Sequence, residues 1–253
     1  MPRLMQDDDT MVTSSIGGMQ RFQFSGKRTE HLGATEYTLA TVAVDVTGSV
    51  QPFAAELRKA LITATDACRK SPRANNLLSR VVLFSTSLGN SGIEEIHGFK
   101  PLGEIDPAMY PQFSPAGMTN LYDAAFSAIG ATNAYAKTLM DQDFLANGIV
   151  FVITDGDDNA SSATVKMIAE EMARGANSEH IESLIGVLVG INCSTFRHKL
   201  EQLAKDAGMQ FLDAGDATPQ RLAKLASFVS QSVSSQSQSL GTGGPSQNIA
   251  ATI

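Results

Sequence analysis

The chain reads as an α/β protein, a doubly wound and mostly parallel central sheet with one antiparallel edge strand and helices on both faces. Three observations predict it. Apolar runs of strand length alternate with stretches of helical period. The apolar runs lack the in–out alternation of a half-solvated strand, as strands covered on both faces do. Short polar clusters follow where several of the runs end, the place where open α/β sheets bind their ligands.

Residues 37–45 (YTLATVAVD) are β-branched and apolar, and form the first central strand. After Thr47, Gly48 and Ser49, the spacing of Phe53, Leu57, Ala60, Leu61 and Ala64 predicts a helix over about 51–69. Residues 79–87 (SRVVLFSTS) make a second strand. The Gly89-Asn90-Ser91-Gly92 cluster then turns the chain into 93–99, its antiparallel partner. The proline-bearing stretch 101–116 is an irregular connection, and helical spacing resumes over 120–140 through Leu121, Ala124, Ala125, Ala128 and Ile129. Residues 148–154 (GIVFVIT) are a buried strand, followed by a helix over 161–175 with Gly175 as its left-handed C-cap. A strand over 181–189, a helix over 194–207 stopped by Gly208, a short strand over 210–213 and a helix over 218 to about 233, with Pro219 in its first turn, complete the pattern.

A length of 253 residues suits one such domain with extensions. The segment 1–20 and the Ser/Gln/Gly-rich run 236–253 carry few core anchors, so both are expected to be flexible, leaving 21–235 as the domain. A formal charge of −7 without a local Lys/Arg cluster opposes a phosphate backbone and argues against nucleic acid as the partner. Cys68 and Cys193 are too few and too far apart for a secreted disulfide framework. The opening MPRLMQDDDT places acid where a signal peptide needs an apolar stretch, and no run is long enough to span a bilayer. A cytoplasmic protein, off the membrane, is the expectation.

The chemistry lies in three clusters: Asp45-Val46-Thr47-Gly48-Ser49 after the first central strand, Gly117-Met118-Thr119-Asn120 before the second long helix, and Thr154-Asp155-Gly156 after GIVFVIT. Their carboxylates and hydroxyls are hard oxygen donors suited to Mg²⁺, with Mn²⁺ as the alternative; no His or Cys competes there to favour zinc. Two carboxylates leave a divalent ion enough positive character to take one more oxygen, such as an Asp or Glu of a protein partner. Each cluster alone has a plainer reading. Asp45 with Ser49, and Thr119, suit helix caps, and Asp155 suits a turn. Asp157, Asp158 and Asn159 read as a solvated loop and helix cap. His31, His97, His180 and His198 are scattered, and Met109, Tyr110, Phe113 and Met118 are candidates for an apolar rim beside Thr119.

Taken together, the D-x-T-x-S run Asp45/Thr47/Ser49, the single Thr119 and the T-D-G aspartate Asp155 resemble, in order and spacing, the metal-ion-dependent adhesion site of von Willebrand factor A domains. The resemblance spans roughly residues 35–235. It implies a mostly parallel sheet flanked by helices, with the 79–99 hairpin supplying the antiparallel edge strand. It implies that Thr47 and Ser49 ligate the ion directly, that Asp45 and Asp155 act directly or through water, and that Thr119 joins or leaves the shell with the bound state. Thr47 stands where serine is commoner and keeps the hydroxyl. Intracellular bacterial members, including those of tellurium-resistance and stress clusters, are similar in compactness. The function implied is a non-enzymatic, metal-dependent protein-binding module. The alternative is a Mg-dependent phosphatase or phosphotransferase of haloacid dehalogenase type with Asp45 as nucleophile, since Asp45-Val46-Thr47-Gly48-Ser49 also resembles D-x-T-G-T. Against it, the T-D-G-D-D-N string is a shuffled form of the acidic motif that chemistry needs. No G-x-x-x-x-G-K-[ST] loop is present for P-loop hydrolysis.

Overall fold

The computed structural model describes residues 10–17, 19 and 21–242. In chain order the elements are β1 (Met11–Ser15), β2 (Gln23–Lys27), β3 (Glu36–Asp45), α1 (Ala54–Arg69), β4 (Leu77–Phe84), β5 (Ile93–Pro101), α2 (Leu121–Met140), β6 (Leu145–Thr154), α3 (Val165–Asn177), β7 (Leu184–Gly190), α4 (Arg197–Ala207), β8 (Gln210–Asp213) and α5 (Pro219–Thr242). The strands form one sheet in the order β1-β2-β5-β4-β3-β6-β7-β8. From β4 through β3, β6 and β7 to β8 every pairing is parallel. The expected antiparallel strand is β5, beside β4, and an antiparallel β1–β2 pair extends the sheet beyond it.

Burial on both faces explains the unalternated apolar strands. Successive side chains of β3 enter opposite cores: Leu39 and Ala43 pack towards α2, α3 and α4, whereas Ala40, Val42 and Val44 pack towards α1 and α5. β4 divides likewise, with Leu78, Val82 and Phe84 on one side and Leu77, Val81 and Leu83 on the other. Each Leu or Val side chain taken fully out of water contributes about 1.5–3 kcal/mol, so the two cores fix the register of the central strands.

Two stretches expected to be flexible carry regular structure. Met11–Ser15 pairs with Gln23–Lys27, and the chain between them buries Ile16 and Phe22 against α2. There Gly130 permits the approach, since a Cβ at that position would lie 2.5 Å from Ile16 Cγ2, and Phe22 meets Phe126 at a ring separation of 6.1 Å. At the other end α5 continues through the serine-rich sequence to Thr242, with Ser232, Gln236, Ser237 and Ser239 buried. Small serines let this helix lie close, where Asn147 Nδ2 donates to the Gln236 carbonyl at 2.9 Å and Arg73 Nε donates to Ser237 Oγ at 3.1 Å. The remainder of the two expected flexible segments, 1–9 and 243–253, lies outside the described residues, as do residues 18 and 20.

Smaller boundaries also move. The helix expected from 51 opens as a 3₁₀ turn, Gly48–Phe53, because Pro52 lacks the N–H that an α-helical turn would use. The helix expected from 161 begins at Val165 behind Thr164, whose hydroxyl accepts from Met167 N at 3.4 Å. That helix passes through Gly175 and ends at Asn177. Gly175 is therefore no cap but a point of contact, where a Cβ would come within 2.4 Å of Leu184. Gly208 is left-handed, with φ 70°, and closes α4 as anticipated, and Pro219 opens α5. Among the described residues no helix is long and apolar enough to cross a membrane.

Candidate metal centre

The parallel strands end at a common pole. After β3 the chain adds β4 and β5 on one side, then crosses back to place β6 on the other, so the gap above β3 and β6 is a topological switch point. Asp45 is the last residue of β3, Thr154 the last of β6, and Asp155 the next.

Asp45 is fully buried. Its Oδ1 accepts from the Thr47 amide at 2.8 Å and its Oδ2 from the Thr154 hydroxyl at 2.7 Å, which fixes the carboxylate plane. The Thr47 and Ser49 hydroxyls lie 3.2 Å apart, and Ser49 Oγ donates to Asp155 Oδ1 at 2.8 Å. The Thr47 and Ser49 hydroxyls thus lead to the Asp155 carboxylate, and Asp45 joins the set through the Thr47 backbone amide. The cap reading of Asp45 with Ser49 does not hold: Asp45 bonds locally to the Thr47 N–H without capping a helix, and Ser49 turns to Asp155 at the end of the neighbouring strand β6.

Thr119 is not a helix cap. The cap position of α2 is Asn120, which makes no side-chain capping bond. Thr119 is 6% exposed, and its hydroxyl makes no hydrogen bond to another described residue. Its backbone is held on both sides: Thr119 N donates to Asn159 Oδ1 at 2.8 Å, and Asn159 N donates to the Thr119 carbonyl at 3.0 Å. Just before it, Gly117 accepts from Gly48 N at 3.4 Å and Ala116 N donates to the Val46 carbonyl at 3.0 Å. Gly117 has φ 77°, and a Cβ there would lie 2.7–2.9 Å from Ser85 Oγ, Ser87 N and Thr86 Oγ1, so a glycine is required on two counts. The next residue is pinned as well, with Met118 N donating to Thr86 Oγ1 at 2.9 Å and Thr86 N to the Met118 carbonyl at 3.0 Å. The three sequence clusters thus meet at one pole, and the loop 85–92 joins them.

Burial pushes Asp45 up to about 6 from an ordinary 3.8, against the hydrogen bonds from Thr154 and Thr47, with the nearby Asp155 charge adding to the rise. Asp155 is also raised, by burial first, with the Ser49 hydrogen bond opposing it. Among the described residues no lysine or arginine pairs with either carboxylate. Two neighbouring buried carboxylates without a counter-charge are costly, and a cation removes that cost. Among the described residues no three His, Cys, Asp or Glu side chains gather, so an ion here depends on hydroxyl oxygens as well as carboxylates. That donor set fits a hard cation.

Other expectations change. Asp157 pairs with Lys199 at 2.6 Å, while Asp158, in keeping with the cap reading, accepts from Tyr122 N in the first turn of α2 at 3.2 Å, so the string after Asp155 is a loop tied on both sides. Of the four apolar rim candidates, Tyr110 is buried against His97, with 2.9 Å between its hydroxyl and Nε2, and Phe113 packs on the α1/α5 core. Met109 and Met118 remain exposed, at 69% and 56%. The sequence singles out Thr154 only as part of its cluster, and Asn159 only as loop or helix cap, because a strand-end threonine and an asparagine in an acidic loop are common; only their partners give them these roles.

Neither the family models nor the curated proteins yield a match to the chain. Solved structures do. The pilus adhesin SpaC from Lactobacillus rhamnosus GG aligns at 12% identity and TM-score 0.60 over 85% of this chain and 32% of its own. The minor pilin PilB from Streptococcus sanguinis aligns at 14% identity and TM-score 0.56, over 87% and 66%. Proximal thread matrix protein 1 from the mussel byssus, in a structure with a zinc-occupied MIDAS motif, aligns at 14% identity and TM-score 0.52, over 88% and 48%. The chain therefore spans about a third of the adhesin and about half of the byssus protein. With the strand order above, these likenesses give the chain a von Willebrand factor A-like fold.

Proposed function

We propose that this chain is a non-enzymatic binding module that holds Mg²⁺, or Mn²⁺ in its place, at Asp45, Thr47, Ser49, Thr119 and Asp155, and through it captures an Asp or Glu side chain of a protein partner. The observation that supports this reading is the pair of buried carboxylates Asp45 and Asp155, which no lysine or arginine among the described residues pairs with, on loops that also carry the Thr47, Ser49 and Thr119 hydroxyls. A bound divalent ion would supply Lewis-acid affinity for an outside oxygen. Asp45 and Asp155 contribute the negative charge, and Thr154 keeps the Asp45 carboxylate in one orientation. The absence of nitrogen and sulfur donors from the five favours Mg²⁺ over zinc. The exposed Met118, one residue before Thr119, supplies apolar contact area for the partner.

The phosphatase alternative asks Asp45 to attack a phosphorus atom. Its burial and the engagement of both its oxygens count against a nucleophilic role. A reducing, cytoplasmic setting is part of the proposal, supported by Cys68 and Cys193. Both are buried and free, with thiols pushed up to about 12 and about 11 by burial. Kinship with intracellular bacterial members rests on the sequence resemblance.

Calorimetric titration with Mg²⁺ and Mn²⁺ tests the site. Wild type should bind one ion, and Asp45→Asn and Asp155→Asn should each weaken it by about 10²-fold or more, as expected for a lost ligand at least as important as an outer-shell partner. A wild type that takes up neither ion at millimolar concentration ends this reading. Partner capture should occur in Mg²⁺ and be released by EDTA.

A further inference from the structure

The loop that follows Asp155 reaches across to the start of α2. Besides the paired Asn159–Thr119 bonds at 2.8 and 3.0 Å, Asp158 Oδ1 accepts from Tyr122 N at 3.2 Å and Ser161 Oγ accepts from Asp123 N at 3.0 Å. In return Asp123 Oδ1 accepts from the amides of Ser162 and Ala163 at 3.1 and 2.8 Å. The first amides of a helix lack partners within it, and ordinarily its own cap residue satisfies one. Here Asn120 spends its side chain elsewhere, donating to the Gly92 carbonyl at 3.0 Å, and the neighbouring loop does the capping. The position of Thr119 is therefore set by the same loop that carries Asp155.

We propose that Asn159 is a positioning residue for the metal, holding the Thr119 hydroxyl at a fixed place relative to Asp155 by accepting the Thr119 N–H. The inference rests on the metal-binding reading. Asn159 is itself exposed, so its replacement leaves no cavity and removes only the side-chain half of the bridge. The necessary chemistry is an acceptor oxygen at that position. Aspartate supplies one and alanine does not.

The experiment measures Mg²⁺ affinity by calorimetry, and the electron paramagnetic resonance spectrum of bound Mn²⁺, for wild type, Asn159→Ala and Asn159→Asp. Melting temperatures are taken in EDTA. The alanine variant should lose about 10-fold or more in Mg²⁺ affinity, as expected for an outer-shell partner, and its Mn²⁺ spectrum should change. The aspartate variant should bind as wild type or tighter, and both should melt in EDTA close to wild type. Wild-type affinity in Asn159→Ala, no recovery in Asn159→Asp, or a loss matched by an equal drop in metal-free melting temperature each overturns the positioning role while leaving the metal site standing. No ion uptake by wild type overturns the metal reading itself.

Discussion

At the scale of single residues, conformation and burial are as demanding as the oxygen donors. Gly117 combines a left-handed φ of 77° with contacts that leave no room for a methyl group. Gly117→Ala should cost about 1–3 kcal/mol of stability and weaken metal binding, because the displaced loop carries Thr119; urea unfolding and calorimetry on the same sample read both. His97, which is not among the candidate metal residues, offers a pH test. Burial holds it down at about 4 from an ordinary 6.5, while Nδ1 faces the Gly98 carbonyl at 3.0 Å and Nε2 faces the Tyr110 hydroxyl. A base depressed by folding is neutral in the native state, so its contribution is fully present above pH 6.5 and is lost as pH falls through about 4. That gap amounts to on the order of 3 kcal/mol. Urea unfolding in EDTA between pH 7 and 4 should therefore show a shallower loss of stability for His97→Gln than for wild type, and parallel profiles would show that His97 titrates normally.

At the scale of elements, the long central strands and the five helices were legible because each buries enough apolar surface to impose its period on the sequence. β3 and β6 are largely β-branched and apolar without in–out alternation, and α2 repeats its alanines and leucines at helical spacing. β1 was not legible. Its sequence MVTSS has no apolar face of its own, and it is held by backbone pairing with β2 and by Ile16, just beyond its end. Ile16→Ala should accordingly destabilise the protein by about 2–5 kcal/mol in a thermal or urea melt, although the residue lies in a segment whose composition reads as a flexible leader. No change on that substitution would mean that the β1–β2 pair is not part of the cooperative unit. The last turns of α5 were hidden for a related reason. Their serines and glutamines look like tail composition, yet Gln236 and Ser237 are buried through bonds to Asn147 and Arg73, residues far away in the chain.

For the whole molecule, the switch point turns an ordinary doubly wound sheet into a site with one polarity. Folding brings together two carboxylates that no lysine or arginine among the described residues pairs with, so a cation bound there would stabilise the fold by mass action. At a hundredfold excess over its dissociation constant, Mg²⁺ should add about 2.7 kcal/mol, or roughly 5–10 °C in melting temperature for a chain of this size. EDTA should reverse the shift and Asp155→Asn should lack it. Equal melting curves in Mg²⁺ and EDTA would show that the ion has no preference for the native state.

The amino-acid sequence by itself determined the order of strands and helices from residue 37 onwards, the mostly parallel sheet, and the three oxygen-bearing clusters, because periodicity and local composition are properties of neighbours in the chain. Only the tertiary structure decided that Thr154 orients Asp45, that Asn159 holds Thr119, that Tyr110 turns inward to His97, and that both ends of the described chain join the fold. Each of these depends on a hydrogen bond or an apolar contact between residues far apart in sequence, and a bond of that kind leaves no periodic trace in either partner.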